Sequence, residues 1–69
     1  MSCFLLEVER TEPGTMRDCT HVVWSTAPGG RRTKAGFRSR GAAVRYAREM
    51  KRCLQDDGAE VSLIEGHAE

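Results

Sequence analysis

The chain has 69 residues, enough for one domain with a thin core, because a chain this short hides only roughly 60% of its unfolded surface. Hydrophobic residues make up 39% and charged residues 30%, a globular balance that argues against disorder. No apolar run approaches the roughly 18 residues of a membrane span, and acidic residues directly follow the first apolar run. We therefore expect a cytoplasmic protein that contacts no membrane and carries no secretory signal.

Charge is separated into blocks along the chain. Residues 31–52 carry nine basic residues and one acidic residue, whereas residues 1–30 have a charge of −2 and residues 53–69 a charge of −5. The net charge of +1 conceals this separation. A basic segment of +8 between two acidic ones favours an acidic partner.

Three segments have strand character. Phe4 to Arg10 and Thr20 to Thr26 alternate with the period of a half-buried strand, and Arg31 to Phe37 alternates more weakly. Thr11 to Asp18, which contains Pro13-Gly14, and the run from Ala27 to Gly30 have the composition of turns. We predict two strands and a short third one.

A helix follows, with a cap at each end. Ser39 is a candidate N-cap, the helical periodicity continues to about Asp57, and Gly58 suits the left-handed residue that ends a helix. A last strand begins near Ala59, and Gly66 to Glu69 form a tail. Residues 1–69 are thus predicted to form a single small α+β domain of order β-β-β-α-β, whose three- to four-stranded, mostly antiparallel sheet carries the helix on one face.

The two faces of this sheet can be assigned from the alternation. A helical stripe of Ala43, Ala47, Met50 and Leu54 should pack on one face, and we expect loss of Trp24 to unfold the domain. The opposite face would expose Leu5, Val23 and Ile64, which are either ordinary exposed side chains or a patch for a homodimer or a protein partner. Because a second subunit would relieve the small core, we predict self-association. The sheet residues assigned to the core are Phe4, Leu6, Val8, Val22, Trp24, Val61 and Leu63.

Arginines recur at helical spacing on the side of the helix away from this stripe. Arg45, Arg48 and Arg52 form one row, with Lys51 beside it. The row is either a solvated face, in which Glu49 pairs with Arg45 and Asp56 with Arg52, or a docking surface for an acidic partner that guanidinium groups would bind. Together with Arg38 and Arg40, these residues are the predicted partner-binding set.

The start of the helix is a second candidate site. Arg38, Ser39, Arg40 and Gly41 bring two guanidinium groups and a hydroxyl to a helix N-terminus, where free amides and the helix dipole already favour an anion. The same residues also suit a simple turn, so the anion-binding and the turn interpretations both remain open.

Other chemistry finds little support. Sheets that bind single-stranded RNA carry several aromatic residues on their central strands. The basic segment before the helix offers one aromatic residue, Phe37, and it is predicted to face the core. We therefore reject assignment to that family of RNA-binding sheets. The unevenly spaced cysteines, Cys3, Cys19 and Cys53, are interpreted as reduced thiols. Cys19 and His21 lie two residues apart on a strand and could form a nucleophile pair or half of a zinc site. The sequence offers neither the further zinc ligands at a paired spacing nor an acid to orient His21. We predict no catalytic residues, no metal and no cofactor.

Binding is therefore the expected function. The leading hypothesis is a small, non-enzymatic interaction module, a regulator or an inhibitor that docks on an acidic surface of a larger protein through the arginine-rich helix face. The alternative is a nucleic-acid-binding protein that contacts phosphates through the same basic segment, residues 31–52. Near-neutral net charge and acidic ends favour the protein partner.

Overall fold

The computed structural model describes residues 3–11 and 19–65. Its elements are β1 (Cys3–Arg10), β2 (His21–Thr26), β3 (Arg32–Phe37), α1 (Arg40–Asp56) and β4 (Glu60–Ile64). The predicted α+β class and the β-β-β-α-β order are confirmed, and the weakly alternating third segment is a strand. The predicted turn at Pro13-Gly14 and the predicted tail lie outside the described residues.

The four strands form one mixed sheet in the order β3-β2-β1-β4. β2 pairs antiparallel with both β1 and β3, whereas β4 pairs parallel with β1. A parallel pair needs a crossover connection, and α1 supplies it by carrying the chain from one edge strand, β3, to the other, β4. The helix therefore lies across one face of the sheet, and no helix of residues 3–11 and 19–65 covers the other face.

Both predicted helix caps are present. The Ser39 hydroxyl accepts a hydrogen bond from the amide of Ala42 at 3.1 Å, which satisfies one of the free donors at the start of α1. Gly58 follows the helix with φ of 94°, a left-handed conformation in which a side chain would be strained. Two local signals therefore fix the length of α1.

The core lies between α1 and the two central strands. Ala43 and Ala47 are completely buried and pack against Val8 and Val23, which pair with each other across β1 and β2. Alanine side chains allow the helix backbone to approach the sheet closely, so only small or medium side chains fit below them. Leu63 and Phe37 close the core at its sides.

The predicted orientation of β2 is wrong. Val23, expected on the outer face, is 1% exposed and faces the helix, whereas Trp24, expected in the core, lies on the outer face and is partly exposed. Val22 shares that outer face with Trp24, although it is only 5% exposed. The physical reason lies in the cross-strand partners. Trp24 pairs with Glu7 and Lys34, whose charged groups belong in solvent, whereas Val23 pairs with Val8 and Ala35. Ser25 also faces the helix, where its hydroxyl contacts the Met50 sulfur at 3.6 Å.

Truncation of Val23 should therefore destabilise the protein more than a conservative change of Trp24. We expect Val23→Ala to lower the free energy of unfolding by about 2 kcal/mol, from lost transfer energy and a residual cavity. Trp24→Phe should cost less, because its ring is already partly in water. Urea denaturation followed by circular dichroism measures both, and a larger loss for Trp24→Phe would contradict this assignment of the faces.

Candidate binding surfaces

The arginine row lies on the solvent side of α1. Arg45, Arg48 and Arg52 are all exposed, while Ala43 and Ala47 of the same helix are buried against the sheet. Their side chains can therefore reach a partner without any change in the core. We call Arg45, Arg48 and Arg52 the arginine face; that it binds a partner stays a prediction.

Two of these three guanidinium groups bind carboxylates of the same chain. Arg48 Nε donates to Glu65 Oε2 at 2.9 Å, and Arg52 Nη2 donates to Glu49 Oε2 at 2.6 Å. The hydrogen bond and charge of Arg48 lower the pKa of Glu65 below its ordinary value. Within the described residues no ion pair involves Arg45, so Glu49 pairs with Arg52 rather than with Arg45 as predicted.

The start of α1 brings basic groups together, as its sequence suggested. Arg38 and Arg40 flank Ser39, and the first turn of α1 contains no acidic residue. Gly41 is exposed and leaves open space where a side chain would stand. The Ser39 hydroxyl already accepts a hydrogen bond from the Ala42 amide, so the arginines and the remaining free amides are the groups that could bind an anion. Anion binding here stays a prediction.

His21 adjoins this group at the start of β2. Its pKa is lowered, mainly because burial disfavours the charged ring and further because Arg10 and Arg40 repel a positive charge. The Thr20 hydroxyl lies 2.8 Å from His21 Nδ1 and donates its proton to the Arg38 carbonyl oxygen at 3.0 Å. Since one hydroxyl has one proton to donate, Nδ1 must be the protonated nitrogen of His21.

The outer face of the sheet carries a surface that the sequence interpretation missed. The Arg32 guanidinium lies 4.1 Å from the centroid of the Trp24 ring, and the Lys34 ammonium lies 5.2 Å from it. We call Trp24, Arg32 and Lys34 the aromatic–cation patch. It was missed because Trp24 was assigned to the core. The turn after β2 was the signal that could have revealed it. There the Ala27 amide donates to the Arg31 carbonyl oxygen, and the resulting register places Trp24 opposite Lys34.

The predicted self-association surface is only partly assembled. Leu5 and Ile64 lie on the outer face, where Ile64 is 49% exposed and Leu5 is partly buried. Val23 is in the core, so its assignment to this surface is wrong: it pairs with Val8 beneath the helix. Self-association stays a prediction that rests on Leu5 and Ile64 alone.

The cysteines show no built chemical site. Cys3, Cys19 and Cys53 are free thiols, and Cys19 precedes β2 rather than sharing a strand with His21. Across residues 3–11 and 19–65, no three His, Cys, Asp or Glu side chains lie close enough to hold a metal ion. Two surface depressions among the described residues, of about 410 and 260 Å³, are open to solvent. The absence of catalysis stays a prediction.

In the part of the chain that the structure describes, no helix has both the length and the apolar character needed to cross a bilayer. Compared with protein-family models, with curated proteins and with solved structures, the chain shows no significant match.

The lowered pKa of His21 makes stability sensitive to mild acid. The unfolded chain binds this proton more readily than the folded one, so the free energy of unfolding should be constant at neutral pH and fall as the pH drops through the ordinary value of 6.5. The lowered pKa of Glu65 affects stability only at lower pH, around and below 4.5, which is the ordinary pKa of this carboxyl group. Urea denaturation at pH 7.5 and 5.5 should show this fall in the native chain and a much smaller one in His21→Gln. An equal fall in both proteins would contradict it.

Proposed function

We propose that the protein is a non-enzymatic interaction module that docks on an acidic surface of a larger protein through the arginine face. The supporting observation is that Arg45, Arg48 and Arg52 are exposed together on α1, over about 10 Å of helix, on the side away from the core. Guanidinium groups in such a row suit carboxylates, which they bind with two parallel hydrogen bonds. The role is that of a regulator or an inhibitor rather than a catalyst.

The internal ion pairs shape how such docking would work. Glu65 and Glu49 hold the guanidinium groups of Arg48 and Arg52 in place, so partner carboxylates exchange with carboxylates that are already present. An exchange of this kind yields little net electrostatic energy, and its main effects are on the association rate and on the choice of partner. Arg45, which is exposed and has no ion pair among the described residues, is the natural first contact.

Nucleic acid is the second candidate partner, bound through phosphates along the same basic segment. The observation that favours it is that residues 31–40, which form β3 and the start of α1, include five basic residues and no acidic one. Phosphate contacts of this kind position a polyanion without reading its sequence.

Removal of the arginine charges should separate folding from binding. The triple variant Arg45→Gln, Arg48→Gln and Arg52→Gln creates no opposed carboxylates and should stay folded, because exposed ion pairs contribute little stability. The matched control replaces the same three residues by Lys, which keeps the charge. With each protein immobilised in nuclease-treated extract at physiological salt, partners retained by the native chain should be retained by the Lys variant and lost from the Gln variant.

Equal retention by the native chain and the folded Gln variant would show that the arginine face is only a solvated surface. Loss of all retained partners on nuclease treatment would instead favour nucleic acid. Salt gives a second discrimination, since phosphate binding falls log-linearly with ionic strength, whereas a protein interface with an apolar centre weakens modestly.

A further inference from the structure

The aromatic–cation patch lies on the face of the sheet opposite α1. Trp24 of β2 pairs directly with Lys34 of β3, and Arg32 lies two residues earlier on β3, so all three side chains leave the same face. The core occupies the other face, because Val23 points to the helix. Among the described residues, the Arg32 guanidinium and the Lys34 ammonium lie over this indole, and Glu7 of β1 is its cross-strand neighbour on the other side.

Within residues 3–11 and 19–65, neither cation of this patch donates a hydrogen bond to a carboxylate. The acidic neighbour of Arg32 in these residues is Glu7, whose Oε1 lies 3.6 Å from Nη2, too far for a hydrogen bond, and the Arg32 side chain is 48% exposed. Lys34 is also exposed. The arginines of α1 differ, since Arg48 and Arg52 donate to carboxylates at 2.9 and 2.6 Å. Arg32 is therefore better able than either of them to donate to a new acceptor.

An indole with two exposed cations over its ring matches one class of partner. Single-stranded nucleic acid offers bases, each with a face that stacks on an aromatic ring, joined by phosphates that accept from guanidinium and ammonium groups. A base would take the place of the Arg32 guanidinium over the ring as that group turns to a phosphate, whereas an acidic peptide would draw Arg32 away and give the indole no π partner in exchange. β3 is an edge strand, and Gly36 puts no side chain on its outer face beyond Lys34, which leaves a path along the strand.

We propose that the outer face of β2 and β3 binds single-stranded nucleic acid, with a base against Trp24 and phosphates on Arg32 and Lys34. Binding is independent of sequence, since every base has a π face and the structure presents no arrangement that reads base edges. The surface is distinct from the arginine face, but Arg32 and Lys34 belong to the basic segment of the second candidate function, and this inference rests on that candidate. DNA and RNA share the recognised chemistry, and the test includes both.

The chain provides its own reporter, because Trp24 is the only tryptophan. Titration with an octamer of deoxythymidylate, and separately of uridylate, at low salt should quench the tryptophan emission in a saturable way. Inorganic polyphosphate supplies the charge without bases, and it should compete with the octamer while quenching little. Absence of quenching by both octamers would overturn the proposal, as would equal quenching by polyphosphate.

Variants of the patch separate its two components. Arg32→Gln with Lys34→Gln should weaken octamer binding at least tenfold and reduce the slope of log affinity against log salt by about 1.4, for two lost phosphate contacts. Trp24→Leu, followed by anisotropy of a labelled octamer, should weaken binding about fivefold or more, whereas Trp24→Phe should restore most of it. Circular dichroism checks that each variant is folded, and unchanged binding by the folded double variant would overturn the proposal.

The matched control lies on the other surface. The triple Gln variant of Arg45, Arg48 and Arg52 should bind the octamer within about threefold of the native chain, apart from the general effect of lower net charge. If this variant loses the octamer while the Arg32 and Lys34 variant keeps it, the nucleic-acid site is the arginine face and the proposal is wrong. Tighter binding of a blunt duplex, or of a polyglutamate peptide, would equally overturn it.

Discussion

The close approach of α1 to the central strands is the constraint on which the rest of the structure depends. Ala43 and Ala47 bring the helix backbone down onto the paired valines, Val8 and Val23, and these side chains are almost completely buried. Because neighbouring residues of a strand face opposite sides of the sheet, burial of Val23 beneath the helix turns Trp24 outward. Trp24 is thereby placed on the opposite face, where the stems and charged ends of neighbouring cations cover part of it. The packing of the core thus decides which groups the protein presents to a partner.

The same constraint separates the basic residues onto two surfaces with different electrostatic character. On α1, carboxylates of the chain already satisfy two guanidinium groups, so an incoming anion must displace Glu49 or Glu65. On β3, Arg32 makes only a long ion pair with Glu7, and Lys34 faces the indole. Counting charge along the sequence treats these residues as equivalent. Their ability to bind an anion differs because it depends on which donors are already in use.

Signals between neighbouring residues predicted most of the fold. The predictions failed where the outcome depends on pairing between distant segments. The caps at Ser39 and Gly58, the helix between them and the order of the elements along the chain could be predicted, because each depends on neighbours in the chain. The order of the strands within the sheet was not predicted. The face assignment of β2 was wrong, since Val22 and Val23 are both apolar and either orientation gives a plausible strand. The register of β2 with its neighbours decides between them, and so the candidate site around Trp24 was missed.

The parallel pairing of β1 with β4 has a consequence for synthesis. β1 is a central strand, yet one of its neighbours is the last strand of the chain, and Leu6, which is completely buried, pairs with Leu63. A nascent chain can form the meander of the first three strands early, but one edge of β1 stays unpaired until α1 and β4 have been made. Contacts of such long sequence separation form slowly and late. During that interval the edge of β1 is open to pairing with the wrong strand.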